Sequence, residues 1–484
     1  MLKKAFKAAW SKTIPIMAGF LFLGFSYGVY MNGLYNKCWG DQQIELKNLS
    51  KIKKREHICS KSCIMELSKT TISGGTNMLY NYSTTNLIGL QDLEIKKVNS
   101  IGDTTYIDAE MKRKPHHCPC CNHITDKVHD YRIQNIKDIP AFGKYVVIAL
   151  RKRRYVCKNC GKRFYENTDF LPKYYRMTNR LSTWVIHLLE DVRSFTSVAK
   201  EVNLSVSTFI RIFDYVGYSN PQHPPEVLAI DEFKGNTGDE KYQCILTDPQ
   251  NGIVLDILPA RNTEYLIKYF KHWDVGDRLS VKCFVSDMWQ QYTDLSKIFF
   301  KNSILIIDKY HFIRQMVWAF EAVRKSEQKK YGKQNRLCFK NSKRILTKRA
   351  EKITDYQKER INSILYLSDK LRTAYQLKEM LYQIVDTKDR KHARNLMLEW
   401  IYAAQSSGLG DYMKCAKTLI NWQNGILSSF EHPYTNGFTE GCNNKIKVLK
   451  RNAYGYRNFK RFRNRILHIF NHKKAALNKE NEAA

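Results

Sequence analysis

Proline and acidic residues are both scarce in this chain. Of its 484 residues, 11 are proline, and 46 aspartates and glutamates face 80 lysines and arginines, so the formal net charge is +34. With 43% apolar and 12% aromatic residues, this composition excludes disorder as a description of the whole chain. The shortage of negative charge argues against many ordinary metabolic enzymes. It predicts a polyanionic partner, either nucleic acid or an anionic membrane surface.

Long apolar runs are scarce as well. One run without a charged residue, residues 14–31, follows a lysine-rich start. At 1.5 Å per residue it would reach ~27 Å against a hydrocarbon core of roughly 30 Å. Residues 1–35 are therefore predicted to be a marginal transmembrane segment or a fused fragment, and the polar residues 36–84 a linker. The stretch 3–29 resembles the N-terminus of the branched-chain amino-acid exporter large-subunit family, but no second apolar span follows, which argues against an exporter.

Cysteines are present, but not in the pattern of a disulfide framework. Thirteen is an odd number, and several form C-x-x-C pairs, which favours a reducing compartment and metal binding. Two such pairs, with strand patterns between them, can present four thiolates to one Zn²⁺ as in a zinc ribbon. The predicted zinc ligands are Cys118, Cys121, Cys157 and Cys160. The alternative ligands are Cys120, His116, His117 and His123. Residues 85–170 are thus predicted to be a zinc-binding, DNA-binding module, and Leu87, Leu90, Leu93 and Ile95 are spaced roughly for a short helix at its start.

The next segment, residues 171–220, has the pattern of a helix-turn-helix. Residues 181–192 carry a helical apolar stripe, and a second pattern over 194–216 is interrupted by a turn at Asn203. Ser205 can act as the N-cap of the helix that follows this turn. In this interpretation the residues directed toward DNA are Ser205, Ser207, Thr208 and Arg211. The alternative is a pair of packed helices without a role in DNA binding.

From residue 227 onward, short apolar runs predict an α/β fold. The predicted order is three strands (227–230, 242–246 and 253–258), a helix (265–272), a strand (281–285), a helix and a last strand (303–307). This order is that of a ribonuclease-H-like core, in which aspartates of the first and fourth strands converge. Asp231 and Asp287 are the candidates, and converging carboxylates of this kind bind Mg²⁺ or Mn²⁺.

A third carboxylate is expected from a helix, and Glu440 is the candidate. No acidic residue occurs from Gly441 through Lys479, so Glu440 stands at the head of a basic, aromatic-containing segment that suits a phosphate track. The predicted DNA contacts in this segment are Lys445, Lys447, Lys450, Arg451, Arg457 and Arg461. A solvated glutamate at a helix start is the alternative interpretation of Glu440. Glu232 is an alternative to Asp231, and Asp308 an alternative to Asp287.

Several motifs together resemble the ISL3 family of insertion-sequence transposases. They are CPCC and CKNCG at the two cysteine pairs, AIDEFKG (229–235), VSDMWQQY (285–292), IDKYHFIRQM (307–316) and the basic segment 436–467. The resemblance covers about residues 85–470. It implies a ribonuclease-H-like core with DDE chemistry, in which Asp231, Asp287 and Glu440 form the catalytic triad. Asp308 and His311 match an accessory D-x-x-H motif.

The resemblance also implies a division of the core. Residues 221–311 would be its first part, 312–429 an α-helical insertion, 430–470 the C-terminal helix with the catalytic glutamate, and 471–484 a tail. Within the insertion, Trp318, Phe320 and Trp422 are predicted to be core residues. The exporter-like start suggests that a mobile element entered an exporter gene and that its own frame begins near Met78.

These expectations define a function. The chain is predicted to be a DNA transposase that binds the ends of an insertion sequence and carries out metal-dependent strand cleavage and transfer. Its expected partners are double-stranded DNA, both transposon ends and target, and further copies of itself in a synaptic complex. A catalytically inactive DNA-binding regulator is the alternative. The expected location is the cytoplasm, at the nucleoid, with a membrane involved only if residues 14–31 span one.

Overall fold

The computed structural model describes residues 89–90, 92–237 and 240–482, with side chains described as far as Asn471. The predicted fused or transmembrane segment 1–35 and the linker 36–84 lie outside the described residues. Within the described ranges, no helix combines the length and apolar character needed to cross a membrane.

The first module is a five-stranded sheet with a small metal-binding turn region. The sheet has the order β1-β2-β6-β5, with β7 added to β6, and a separate two-stranded ribbon pairs β3 with β4. The strands are β1 Leu93–Ile101, β2 Thr104–Met111, β3 His116–His117, β4 Ile124–Thr125, β5 Val128–Ala141, β6 Lys144–Val156 and β7 Arg163–Tyr165. The helix predicted at the start of this module is wrong: Leu93 and Ile95 are buried on either side of the exposed Glu94, the period of a strand.

Three short helical segments follow and form a compact cluster. They are α1 Asn179–His187, which continues into a 3₁₀ turn at Leu188–Glu190, α2 Phe195–Glu201 and α3 Val206–Asp214. Asn203 lies between α2 and α3 with a φ of 53°, a conformation that asparagine tolerates better than most residues. The Ser205 hydroxyl accepts a hydrogen bond from Thr208 N at 3.2 Å, as the N-cap prediction requires.

The second sheet carries the predicted carboxylates. Its order is β10-β9-β8-β11-β12, in which β8, β9 and β10 are antiparallel and β11 runs parallel to both β8 and β12. The strands are β8 Val227–Thr237, β9 Glu240–Asp248, β10 Ile253–Leu258, β11 Cys283–Ser286 and β12 Ile304–Ile307. The connecting helices are α4 Thr263–Phe270, α5 Val275–Ser280 and α6 Gln290–Phe299. Aromatic residues of α4 and α6 cover one face of this sheet.

A long helical segment separates the last strand from the helix of Glu440. It contains α7 Lys309–Gln328, α8 Lys333–Asn341, α9 Lys343–Leu346, α10 Asp355–Tyr366, α11 Asp369–Asp386, α12 Arg390–Ser406 and α13 Gly410–Ser428. Phe320 is fully buried in its core, and Trp422 packs against that core. Trp318, in contrast, is 62% exposed, so its prediction as a core residue is wrong.

Two final helices cover the other face of the second sheet. They are α14 Gly437–Asn452 and α15 Phe459–Glu482, so α15 continues through most of the residues predicted as a tail. Apolar residues of both helices pack against Phe233, Ile245 and Ile257 of the sheet. Through these contacts α14 holds Glu440 over the strand that carries Asp231.

Helix α15 also connects the second sheet to the three-helix cluster. The guanidinium of Arg465 is fully buried and donates to the carbonyl oxygens of Leu189, Asp191 and Arg193. The segment that connects α1 to α2 is therefore held by one side chain of α15. On the other side of the same helix, Arg463 Nε donates to Asp256 Oδ1 of β10 at 2.5 Å. Helix α15 thus binds both the three-helix cluster and the second sheet.

Candidate active site and metal centre

The four predicted zinc ligands lie together in the first module. The sulfur atoms of Cys118, Cys121, Cys157 and Cys160 are all within 4.8 Å of one another. Two similar turns produce this arrangement: Asn122 N donates to Cys118 O at 2.9 Å, and Gly161 N donates to Cys157 O at 3.0 Å. Asn122 and Gly161 both have positive φ, so each turn bends the chain back toward its own first cysteine.

The chemistry of this cluster suits a soft divalent cation. Hydrogen bonding from the backbone of His123 is the main cause that lowers the pKa of the Cys121 thiol to about 6. Cys120 is exposed, and neither it nor His116, His117 or His123 belongs to the cluster. His116 packs instead against the ring of Tyr155, with 4.7 Å between ring centroids. Four closely spaced thiol groups match the tetrahedral sulfur coordination of structural zinc.

Asp231 and Asp287 occupy neighbouring strands of the second sheet. Asp231 lies within β8, and Asp287 directly follows β11, which pairs with β8 in parallel. Asp231 is buried, and Asp287 Oδ1 is a buried atom without a hydrogen-bond partner. A buried carboxylate oxygen without a partner is costly in a protein interior, and a bound cation would remove that cost.

Glu440 is brought to this site by the first turns of α14. The hydroxyl groups of Thr439 and Thr247, both fully buried, are 2.8 Å apart and join α14 to β9. One turn after Glu440, Asn443 Nδ2 donates to Asp231 Oδ2 at 2.9 Å. These two bonds fix the rotation of α14, and Glu440 is left partly exposed, close enough for its charge to act on Asp231.

The charges of the two other carboxylates act on Asp231. Burial, together with the negative charges of Asp287, Glu440 and Glu232, raises the pKa of Asp231 to about 7 against a hydrogen bond from the Glu232 backbone. Burial also raises the pKa of Asp287 to about 6, with Glu232 adding to this effect and Arg314 and Arg261 opposing it. Since nearby like charges disfavour ionisation, the site favours a cation between the carboxylates.

The alternative carboxylates have other partners. Glu232 Oε2 accepts from Arg261 Nη1 at 2.5 Å. Asp308 caps α7 by accepting from Tyr310 N at 2.8 Å, and its other oxygen accepts from Asn436 N at 2.7 Å. Asp308 therefore joins the start of α7 to the start of α14. Asp287 Oδ1 lacks such a partner among the described residues, which favours Asp287 over Asp308 as a metal ligand, and the ion pair with Arg261 argues against Glu232.

His311 lies between these elements. Its Nδ1 accepts a hydrogen bond from Arg314 Nη2 at 3.2 Å, because a guanidinium can only donate. In the neutral imidazole the proton must then be on Nε2, which is buried, lacks a hydrogen-bond partner and lies 4.0 Å from Glu440 Oε1. Burial lowers the pKa of His311, which favours this neutral form.

The predicted DNA contacts of the three-helix cluster lie at its surface. Ser207 and Arg211 are exposed on α3, and Thr208 is half-buried beside them. Thr208 and Arg211, together with Ser205, line an open groove of about 540 Å³ whose other wall includes Tyr174 and Tyr175. The Ser205 hydroxyl is occupied by its capping role.

The predicted contacts of the basic segment divide into two groups. Lys445, Lys447, Arg451 and Arg457 are exposed, consistent with contact to a phosphate backbone. Arg461 instead forms two hydrogen bonds with Asp214, at 2.6 and 2.8 Å, and Lys450 Nζ donates to the carbonyl oxygen of Lys234. These two side chains hold α15 and α14 against neighbouring elements, so DNA contact is not their evident role.

Sequence reasoning missed Asn436 and Asn443. Both lie in the motif of Glu440, at four residues before and three residues after it, and both are buried. The side-chain amide of Asn436 has no hydrogen-bond partner on either atom. The helical spacing of Asn443 from Glu440 was a signal that it lies on the same face of α14.

Comparisons with known proteins agree with this arrangement. The ISL3 model described as "Transposase" matches residues 228–466, and the model "zinc-finger of transposase IS204/IS1001/IS1096/IS1165" matches residues 114–160. A third model, "Helix-turn-helix domain of transposase family ISL3", matches residues 166–217. The three matched segments follow one another in the same order as the sheet with the cysteine cluster, the three-helix cluster and the second sheet.

Individual relatives extend this result. The transposase for insertion sequence element IS1001 of Bordetella parapertussis is 27% identical over 349 residues, which is 70% of this chain and 85% of that protein. The transposase for IS1557 of Mycobacterium tuberculosis is 26% identical over 126 residues, 26% of this chain and 28% of that protein. A Lactococcus lactis protein named "ATP-dependent protease" is 33% identical over 107 residues, 22% of this chain and 33% of that protein. Zinc ribbon, helix-turn-helix and transposase domain occur here in one chain, which belongs to transposase family ISL3.

Proposed function

We propose that this chain cuts and joins DNA by DDE chemistry on a ribonuclease-H-like core, with Asp231, Asp287 and Glu440 as the ligands of Mg²⁺ or Mn²⁺. The observation that carries this proposal is the convergence of three carboxylates from β8, the end of β11 and the start of α14, close enough for their charges to interact. The strand order, with three antiparallel strands followed by two parallel ones, supports the ribonuclease-H-like assignment. Membership of a transposase family supports DNA as the substrate.

The residues present fit a hard divalent cation. All three ligands are carboxylates. Asp287 Oδ1 has no hydrogen-bond partner among the described residues, and the raised pKa of Asp231 means that its negative charge is unfavourable unless a cation lies nearby. Two such ions would activate water or a DNA 3′-hydroxyl and stabilise the leaving oxygen in an in-line displacement at phosphorus. The protein's own contribution is to hold its carboxylates in position. Asn443 restrains Asp231, and the Thr247–Thr439 contact restrains the helix of Glu440.

Asp308 and His311 have accessory roles in this proposal. Asp308 is a positioning residue, since it fixes the starts of α7 and α14 relative to each other through two backbone N–H groups. His311 Nε2 lies 4.0 Å from Glu440 Oε1, beyond hydrogen-bond distance, so its proton acts on that carboxylate electrostatically. Both act on Glu440, and neither is required to bind metal.

The N-terminal modules supply the recognition of DNA. We propose that Zn²⁺ bound by Cys118, Cys121, Cys157 and Cys160 holds the ribbon, and that Ser207, Thr208 and Arg211 of α3 face the transposon end. The exposed basic residues of α14 would bind the phosphates that lead toward the carboxylates. Synapsis of two ends by at least two copies of the chain, followed by joining to target DNA, completes the proposed reaction.

The decisive experiment is a Mg²⁺-dependent cleavage assay on DNA that carries the element's own ends. Asp231→Asn should abolish strand cleavage, while binding to the ends in a gel-shift assay stays unchanged. Asp274→Asn, the same change at an exposed aspartate of the same domain, serves as the control and should cleave normally. Cleavage by Asp231→Asn would remove Asp231 from the site. Salt-sensitive binding without any cleavage by the unaltered chain would favour a DNA-binding regulator instead.

A further inference from the structure

Helix α7 carries an exposed stripe that the proposed chemistry does not use. Tyr310, Arg314 and Trp318 follow one another at intervals of four residues, so they lie on one face of the helix. Tyr310 is 52% exposed and Trp318 is 62% exposed. The opposite face of α7 is buried in the helical core through Phe312 and Phe320. The stripe is therefore not needed to hold the helix in place.

The three side chains of the stripe form one unit. The guanidinium carbon of Arg314 lies 5.8 Å from the ring centroid of Tyr310 and 5.2 Å from that of Trp318. A cation between two rings holds both rings in a defined orientation while their outer faces stay open to solvent. Arg314 is itself exposed, and in the described part of the chain no carboxylate lies within ion-pair distance of it.

A second arginine near Asp287 has a similar position between two rings, but its charge is paired within the protein. Arg261 also lies between two rings, 4.4 Å from the centroid of Tyr242 and 5.0 Å from that of Trp289. It differs from Arg314 in forming an ion pair, with Glu232. Arg261 is thus held in a direct ion pair, whereas Arg314 has no direct ion-pair partner in the described part of the chain and can bind an external anion.

The stripe begins at the candidate active site. Arg314 donates to His311, and its positive charge opposes the raised pKa values that burial gives Asp287 and Glu440. From His311 to Trp318 the helix advances by about 10 Å, which corresponds to roughly three stacked bases of a DNA strand. A strand whose scissile phosphate lies at the carboxylates would therefore pass Arg314 and Trp318 within its first few nucleotides.

We propose that Tyr310, Arg314 and Trp318 bind an unpaired nucleotide of the DNA strand beside the scissile phosphate. Arg314 binds the backbone phosphate of this nucleotide, and Trp318 stacks on its base. The base must be unpaired, because a base inside a duplex has no free face to offer an aromatic ring. This inference rests on the proposed function and assigns a specific substrate conformation, an opened end, to the same site.

The test uses pre-cleaved transposon ends with 2-aminopurine at each of the first three positions beside the cut, in buffer without Mg²⁺ or Mn²⁺. The unaltered chain should change the 2-aminopurine emission at one of these positions. Trp318→Ala should lose this change and bind an end with unpaired terminal bases roughly 5- to 100-fold more weakly, in line with the loss of one base stack. Trp318→Phe should restore most of both signals. Tyr356→Ala removes an exposed ring elsewhere in the helical segment and should have no effect.

The outcomes separate this inference from the proposed function. An emission change that Trp318→Ala retains overturns the inference. So does a Trp318→Ala variant that alters the oligomeric mass but leaves DNA binding and emission as they were, since Trp318 would then contact a second copy of the chain. An emission change that depends on Trp318, in a chain that never cleaves with Mg²⁺, would support the inference and refute the catalytic proposal.

Discussion

The cysteine cluster and the carboxylate site are built in opposite ways. The four sulfur atoms come from two local turns and already lie within coordination range of a common ion. The three carboxylates come from β8, the end of β11 and α14, and in the described part of the chain no three carboxylates approach one another as closely as those sulfurs do. A structural metal site is closed by the fold itself. A site that must admit DNA stays open until the substrate and its ions arrive.

The largest effect should come from removing one ligand of the cysteine cluster. Cys157→Ser is expected to remove the bound zinc and unfold the ribbon, because structural zinc contributes on the order of 10 kcal/mol to the folding of such small modules. Metal content and hydrogen exchange over residues 93–165 would report this. Cys120→Ser is the matched control, since Cys120 is exposed and outside the cluster. Equal zinc loss in both variants would contradict the assignment of the four ligands.

The next largest effect concerns the stability of the chain when the carboxylate site has no divalent cation. The pKa of Asp231 is raised in the folded chain to about 7, so its contribution to stability is fully present below about pH 4 and is lost as the pH rises through 7. Asp231→Asn should escape this loss and be more stable than the unaltered chain at pH 8, by up to ~4 kcal/mol. Thermal unfolding at pH 5 and pH 8 without added Mg²⁺ or Mn²⁺ measures the difference.

A second set of unfolding measurements compares the same chains with added Mg²⁺. The cation should stabilise the unaltered chain at pH 8 and leave Asp231→Asn little changed, because the bound ion compensates the charge that the variant lacks. Asp274→Asn should behave like the unaltered chain. If Mg²⁺ stabilises Asp231→Asn equally, the ion binds elsewhere.

A smaller effect is expected from the contact that supports Glu440. Thr439→Val keeps the shape of the side chain but leaves the buried hydroxyl of Thr247 without its partner, at a cost of about 1–2 kcal/mol. Because the same contact places Glu440, cleavage should fall more than DNA binding does. Comparison of kcat with end affinity separates the two, and unchanged cleavage would show that the position of Glu440 does not depend on this bond.

The smallest effect should come from a local helix cap. Ser205→Ala removes the side-chain acceptor for Thr208 N at the start of α3 and should cost about 1 kcal/mol. Hydrogen exchange at the first turn of α3 would detect it, with Ser207→Ala as the control on the same turn. An equal effect of both changes would argue against the cap.

The difference between the two sites also explains what could be predicted from the sequence. The cysteine pairs could be identified because their ligands are close in the chain and their turns need few residues. The strands of the second sheet were predicted from apolar runs, and Asp231 and Asp287 from the ends of those runs. Glu440 was assigned mainly by resemblance, because its contact with the sheet spans the whole helical segment.

Other features depend on tertiary contacts that no local pattern reveals. At the start of β1, Leu90 and Leu93 have a helical spacing and Leu93 and Ile95 the spacing of a strand, so over so short a stretch the apolar pattern does not decide between the two. Trp318 was assigned to the core because a tryptophan in a helical stripe is usually buried, whereas here it lies on the outer side of α7. Arg461 forms an ion pair with Asp214, which lies far away in the chain. The sequence alone therefore predicts that Arg461 contacts DNA.

The buried Arg465 has a consequence for where DNA is cut. Because Arg465 of α15 holds the helix-turn-helix and Arg463 of the same helix holds the second sheet, the two cannot change their separation without breaking the bonds of these side chains. If the chain cuts DNA as proposed, this fixed separation would set the number of base pairs between the recognised sequence and the cut. One base pair inserted into that interval shifts the DNA by about 3.4 Å, and the cut should move along the sequence to keep its distance from the bound end.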